Sequence, residues 1–138
     1  VNSALLVKSN EESLATLDCA CVDLFTGRCA FYKAGAPRSY VLRHGRLTRC
    51  ELASMPAGIL RGITFAKRTA VLGAGDTVVL LSDGITDADA VGLEALLCRF
   101  QSQDQQELAD TVLAYAKAHT PADRRDDMSV IVARLLPN

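Results

Sequence analysis

Two acidic sites in this chain have the residue types and flanks for chemistry on an anionic substrate. Asp83 follows the apolar run at residues 77–82 and is itself followed by Gly84. A carboxylate at the end of a strand can point into a cleft, and a glycine beside it lets backbone or ligand approach closely. Asp126 and Asp127 stand immediately before residues 128–136, a nearly continuous apolar run. If the two runs pair antiparallel, the end of one lies beside the start of the other, and Asp83 and Asp126 share one edge. Carboxylates that close repel, which favours a divalent cation between them or protonation of one. Each signal also has an ordinary reading: Asp-Gly is a common turn pair, and an acidic pair suits a solvated loop.

Other residues carry less. Asp18 and Asp23 fall in a strand-like segment, where pairing or solvent exposure accounts for them. Asp87, Asp89 and Asp123 lie near the candidate ligands in sequence and suit a solvated loop equally well. His44 in a turn and His119 at a helix end have no serine or cysteine pattern beside them, so neither is assigned a catalytic role. Arg124 and Arg125 could attract a phosphorylated partner, although Asp123 and Asp126 flank and neutralise them. Cys19, Cys21, Cys29, Cys50 and Cys98 form no C-x-x-C pair, and their odd number argues against a closed disulfide framework. They read as reduced, small apolar residues.

The elements that must position these residues follow from periodicity. Residues 1–8 look like the tail of a helix, followed by a polar turn at 9–12. Residues 15–24 alternate as a mostly buried strand, with Asp18, Ala20 and Val22 on one face and Leu17, Cys19 and Cys21 on the other. Turn chemistry at Thr26-Gly27 and at residues 43–46 separates strands at 29–33, 39–42 and 47–52, which read as a meander. An irregular stretch at 54–58 precedes a strand at 63–71, and the turn at 73–76 leads into the run at 77–82, apolar on both faces and so expected to be central. Leu93, Leu96, Leu97 and Phe100 recur at helical spacing, and a second helix begins with Asp104 and Glu107 as a capping box. Leu108, Val112, Tyr115 and Ala116 form its buried face. The final run at 128–136 is expected to be a buried strand. Many strands, two helices and one strand predict an α+β layered domain occupying residues 1–138 as a single unit.

Bulk properties narrow the function classes. Fifteen basic and sixteen acidic residues leave a net charge of −1, so no overall field favours nucleic acid. No apolar stretch approaches the roughly 20 residues of a membrane span. The first residues lack the basic and apolar regions of a secretory signal, which makes a cytoplasmic setting the expectation.

Taken in order, the motifs resemble a family. Ser82-Asp83-Gly84-Ile85 after an apolar strand, with Asp126-Asp127-Met128-Ser129-Val130-Ile131-Val132 near the end, is similar to the paired signature of the type 2C (PPM) metal-dependent protein phosphatases. More narrowly, Ala15-Thr16-Leu17-Asp18 with Val22-Asp23-Leu24, then Phe31-Tyr32-Lys33-Ala34-Gly35, then Met55-Pro56-Ala57-Gly58-Ile59-Leu60 resemble the stage II sporulation protein E family. The resemblance runs over nearly the whole chain. It implies a layered α/β-sheet/β-sheet/α sandwich of the PPM type with Mn2+ or Mg2+ in a two-metal cleft. Asp83 and Asp126 match metal ligands and catalytic positions, and Gly84 matches the glycine beside the first.

The implied reaction is hydrolysis of phosphoserine by an activated water, without a covalent enzyme intermediate. The implied partner is a phosphorylated regulatory protein such as an anti-anti-sigma factor; a homodimer is a further option, and the parent could be membrane-tethered through its own N-terminal segments. One departure matters. The family carries an earlier Asp-Gly whose carboxylate bridges two metals, and Asp83-Gly84 is the sole Asp-Gly here. The expectation is therefore the C-terminal part of such a domain, lacking its N-terminal portion and inactive alone. The alternative is a non-catalytic module that binds a phosphoprotein or associates with itself.

Overall fold

The structure, a computed structural model, describes residues 2–8, 14–59 and 65–137. The turn expected at 9–12 and the first residues of the strand expected at 63–71 lie outside these. The chain forms two compact units, Val1–Ala36 with Glu51–Val71, and Pro37–Cys50 with Leu72–Asn138.

The first unit holds helix α1 (Asn2–Lys8) and strands β1 (Leu17–Val22), β2 (Arg28–Ala34) and β5 (Ala66–Val71), numbered in chain order. The strands form an antiparallel sheet ordered β1-β2-β5. Asp23 closes the β1–β2 hairpin by accepting hydrogen bonds from the amides of Phe25 (2.9 Å) and Thr26 (3.2 Å), a side chain mimicking a backbone turn. β1 forms, but it is half-buried on both faces, with Cys21 exposed, not mostly buried. On one of its faces Asp18 sits opposite Lys33, a fully buried cation whose Nζ donates to Asp18 Oδ2 at 2.7 Å. A buried ammonium without such a partner would lose its hydration uncompensated.

The second unit contains strands β3 (Ser39–Arg43), β4 (Arg46–Cys50), β6 (Thr77–Leu81) and β7 (Val130–Arg134), ordered β4-β3-β6-β7 and antiparallel throughout. The expected meander is corrected here. Each hairpin forms, but β2 and β3 belong to different sheets, because the second neighbour of β2 is β5, far along the chain. β6 is central, with four of its five residues buried. β7 is an edge strand among the described residues, half-exposed and with Ile131 60% exposed, not the buried strand its apolar letters suggest.

One face of this sheet is covered by helices α3 (Ala90–Arg99) and α4 (Gln105–His119). Tyr40, Val79 and Leu81 from the strands pack with Leu93, Leu97, Leu108, Val112 and Ala116 from the helices. Each large apolar side chain buried this way contributes about 1.5–3 kcal/mol before entropy. Local signals set the helix ends. Asp89 caps α3 by accepting from the Gly92 amide at 3.1 Å. Asp104 caps α4 by accepting from Gln106 (2.8 Å) and Glu107 (3.3 Å), while its own amide donates to Ser102 Oγ, where a full capping box would use Glu107. Glu94 on α3 ties the helix to the sheet through the Arg49 guanidinium and the Tyr40 hydroxyl, and burial together with this carboxylate pushes Tyr40 up to about 12. No helix among the described residues is long and apolar enough to cross a membrane.

Candidate functional site

The second unit brings the two acidic sites to one end of the β6–β7 ladder. Leu81 pairs with Val130, and the Ser82 amide donates to the Ser129 carbonyl at 3.0 Å, extending the pairing one step beyond both strands. Asp83 and the 126–127 segment therefore leave the sheet side by side. Asp83 opens a short helix, α2 (Asp83–Thr86), which has no sequence signal because four residues carry no periodicity. Gly84 is buried against the other segment: a Cβ there would stand 2.7 Å from the Asp127 carbonyl oxygen and 3.3 Å from the Asp126 carbonyl carbon and oxygen. The close approach that the glycine permits is thus that of the Asp126-Asp127 backbone.

Ser82 clasps the two segments, a role the sequence reading missed. Its hydroxyl donates to the Asp127 carbonyl at 3.0 Å and accepts from the Ser129 amide at 2.9 Å. Both partners are backbone groups, so no residue type across the sheet signals the contact. The carboxylates themselves are exposed. Asp83 Oδ1 accepts from the Gly84 amide (3.0 Å), and Asp126 Oδ1 accepts from the Asp127 amide (2.7 Å).

The donors fit a hard divalent cation, since both side chains are carboxylates at an exposed rim with a fixed backbone between them. Two carboxylates fall short of a full oxygen shell, and among the described residues no three His, Cys, Asp or Glu side chains gather as a metal-binding group.

The weaker candidates have other work. Asp18 is held by Lys33, and Asp23 closes its hairpin. Asp89 caps α3 and accepts from the Tyr115 hydroxyl at 2.8 Å; the Gly92 amide and that hydroxyl hold its carboxyl below the usual range. His119 stacks on Tyr115, with Nδ1 2.8 Å from the Tyr115 carbonyl oxygen. Arg125 donates to the carbonyls of Lys117 (2.7 Å) and Thr120 (3.1 Å), closing the end of α4. Asp87, Asp123 and Arg124 are exposed, and His44 occupies the β3–β4 turn. The five cysteines are unbridged, with Cys19 Sγ and Cys21 Sγ 3.9 Å apart.

Comparison with known proteins follows the same line. The chain is 26% identical over 141 residues to stage II sporulation protein E of Bacillus subtilis (strain 168), covering 98% of this chain and 17% of that protein. It superposes with a TM-score of 0.84 and 27% identity on the PP2C phosphatase domain with a fragment of the regulatory domain of SpoIIE from Bacillus subtilis, over 96% of this chain and 42% of that one. For the Mn-presoaked phosphatase domain of the same protein, the TM-score is 0.77 at 26% identity, over 99% and 63% of the two chains. The chain thus spans about a sixth of the full-length relative and less than two thirds of the solved domains. Its fold is the α+β fold of the PPM serine/threonine phosphatases, a metal-dependent family. The stage II sporulation protein E family model matches residues 1–136, and to that family this chain belongs.

Proposed function

We propose that residues 1–138 are the C-terminal part of one metal-dependent serine/threonine phosphatase domain, and that Asp83 and Asp126 supply carboxylates to its metal site. The observation that carries this reading is the seating of Gly84 against the Asp126-Asp127 backbone at the end of the β6–β7 ladder. Mn2+ or Mg2+ suits these hard oxygen donors, in the two-metal arrangement of the family. When bound, such ions neutralise phosphoryl oxygens and make water a stronger nucleophile near neutral pH. The chain's own residues hold the frame: Ser82 fixes the spacing of the two segments, Gly84 admits their close approach, and the carboxylates stay at the rim, where a phosphoserine side chain can reach. The substrate proposed is a phosphoserine on a regulatory protein, an anti-anti-sigma factor by family kinship.

The chain by itself should turn over little substrate, because two carboxylates do not complete a two-metal site. That shortfall favours a second reading for the isolated chain, a phosphoprotein-binding or self-associating module. The test is Mn2+-dependent phosphate release from a phosphoserine protein by the longer protein containing this chain, compared with its D83N and D126N variants. A loss of about a hundredfold or more in each variant is expected. Undiminished release from either variant would remove that residue from the site, and saturable phosphopeptide binding without turnover would favour the second reading.

A further inference from the structure

A cleft opens at the other end of β6, roughly 20 Å from Asp83 at the usual strand rise. It encloses about 280 Å³ between the β3–β4 turn, the ends of β6 and β7, and the connection from α3 to α4. Its floor is one row of the sheet: Leu42 pairs with Thr77, and Thr77 with Arg134. Phe100, just past the end of α3, forms the apolar side with Leu97 and Leu108 buried behind it, and Gln101, Ser102 and Gln103 line the rest.

Arg134 is the anomaly. It ends the face of β7 that otherwise carries Val130 and Val132 into the core, and it is half-buried. Among the described residues, its guanidinium has no hydrogen-bond or ion-pair partner. The nearest acid of this strand end, Asp76, is already taken: Arg43 donates to it from Nε at 2.9 and 3.1 Å, and Gly73 donates its amide at 2.8 Å. Gly75 lies beside the guanidinium, where a Cβ would stand in ordinary contact at 3.6 Å from Arg134 Nη2; its φ of 87° is what calls for glycine.

The second cation-capable group is held at a local cost. His44 and Gly45 have φ of 47° and 74°, the positive values of a two-residue type I′ hairpin turn. Asn, Asp or Gly usually fills the first of these positions, and another L-residue there costs about 1 kcal/mol. The turn accepts that strain and places the exposed His44 on the lining of the same cleft as Arg134. A fork of donors, an imidazole and an apolar side in one concave site are the recognition elements for an anion on an apolar body. We propose that this cleft binds a small ligand carrying a phosphate or carboxylate on an aromatic or aliphatic body, with Arg134 and His44 holding the anion and Phe100 and its apolar neighbours the body.

Phenyl phosphate, benzoate and inorganic phosphate titrated into the full chain in the presence of EDTA test this, followed by calorimetry and amide NMR. Expected is saturable one-to-one binding of an aryl anion, shifting the amides of Gly45, Gly75 and Ser102 but not those of Gly84 and Asp127. R134Q should weaken it about tenfold, H44N about threefold with the turn intact, and D126N not at all. Tighter phenyl phosphate than benzoate assigns a phosphate ligand, and the reverse a carboxylate. Inorganic phosphate binding as tightly as phenyl phosphate would overturn the apolar half of the proposal. No saturable binding, shifts confined to Gly84 and Asp127, or full affinity in R134Q would overturn it whole. The amide shifts need no variant, so a misfolded R134Q does not shelter the idea.

Discussion

Replacing Gly84 by alanine probes the contact that sets the geometry of the carboxylate rim. Gly84 lies within α2 and has no left-handed φ, so on helix propensity alone alanine would stabilise this turn by about 0.5–1 kcal/mol. Space argues the other way. The new Cβ would meet the Asp127 carbonyl oxygen at 2.7 Å, and ordinary contact begins at 3.4 Å, so the two segments must part by about 0.7 Å. The obstructing atoms are backbone, held by the Ser82 hydroxyl and by the ladder, and cannot swing aside as a side chain would. Overpacking of this kind costs about 1–3 kcal/mol, which leaves a net destabilisation of up to about 2.5 kcal/mol after the propensity gain. Urea unfolding should show a lower midpoint at unchanged slope. Gly73→Ala is the control, because its Cβ would find Asp76 Oδ2 at a comfortable 3.9 Å, and its effect should stay within about 0.5 kcal/mol. Stabilisation by Mn2+ should also fall in G84A, since Asp126 moves with its backbone. A G84A protein as stable as the parent or more so would refute the packing argument.

Ser82→Ala removes both hydroxyl contacts and should cost about 1–2 kcal/mol by urea unfolding, with most of it recovered in Ser82→Thr. For Asp76, burial raises the carboxyl, but hydrogen bonds from Arg43 and the Gly73 amide outweigh it and leave the group below its ordinary 3.8. A depressed folded value contributes stability above the unfolded value and loses it as pH falls through the folded one. Stability should therefore decline as pH drops below about 4, and D76N should flatten that decline while costing about 2 kcal/mol at pH 7, both read from unfolding midpoints across pH. Asp104→Ala deletes the α4 cap and should cost about 1 kcal/mol, seen as a lowered melting temperature.

What the sequence made legible depended on whether a signal was local. The helical stripe through Leu93 and Leu97, the Asp104 cap and the turn within residues 43–46 are written within a few residues, and each stands where its pattern puts it. The adjacency of Asp83 to the 126–127 segment was also within reach, because two apolar runs of similar length imply a pair of strands. Sheet membership was not. A hairpin announces which strand lies on one side, but β2 meets β5 on the other through contacts no local pattern encodes. The letters of β7 read as buried because Val and Ile suit any strand, whereas exposure depends on whether a further strand stacks beside it. Ser82 escaped notice because hydroxyl-to-backbone bonds leave no partner residue to recognise.

The 42 residues between Asp83 and Asp126 include both long helices of the second unit, yet the excursion starts and finishes just beyond the same end of a single ladder, where Leu81 pairs with Val130. Separation along the chain is thereby uncoupled from separation in space. A helical hairpin of altered length or outer surface can be spliced into that excursion while the rim keeps its dimensions, provided that the underside facing Val79 and Leu81 still fits. Diversity can collect on the exterior of this insert without disturbing the acidic pair at its base.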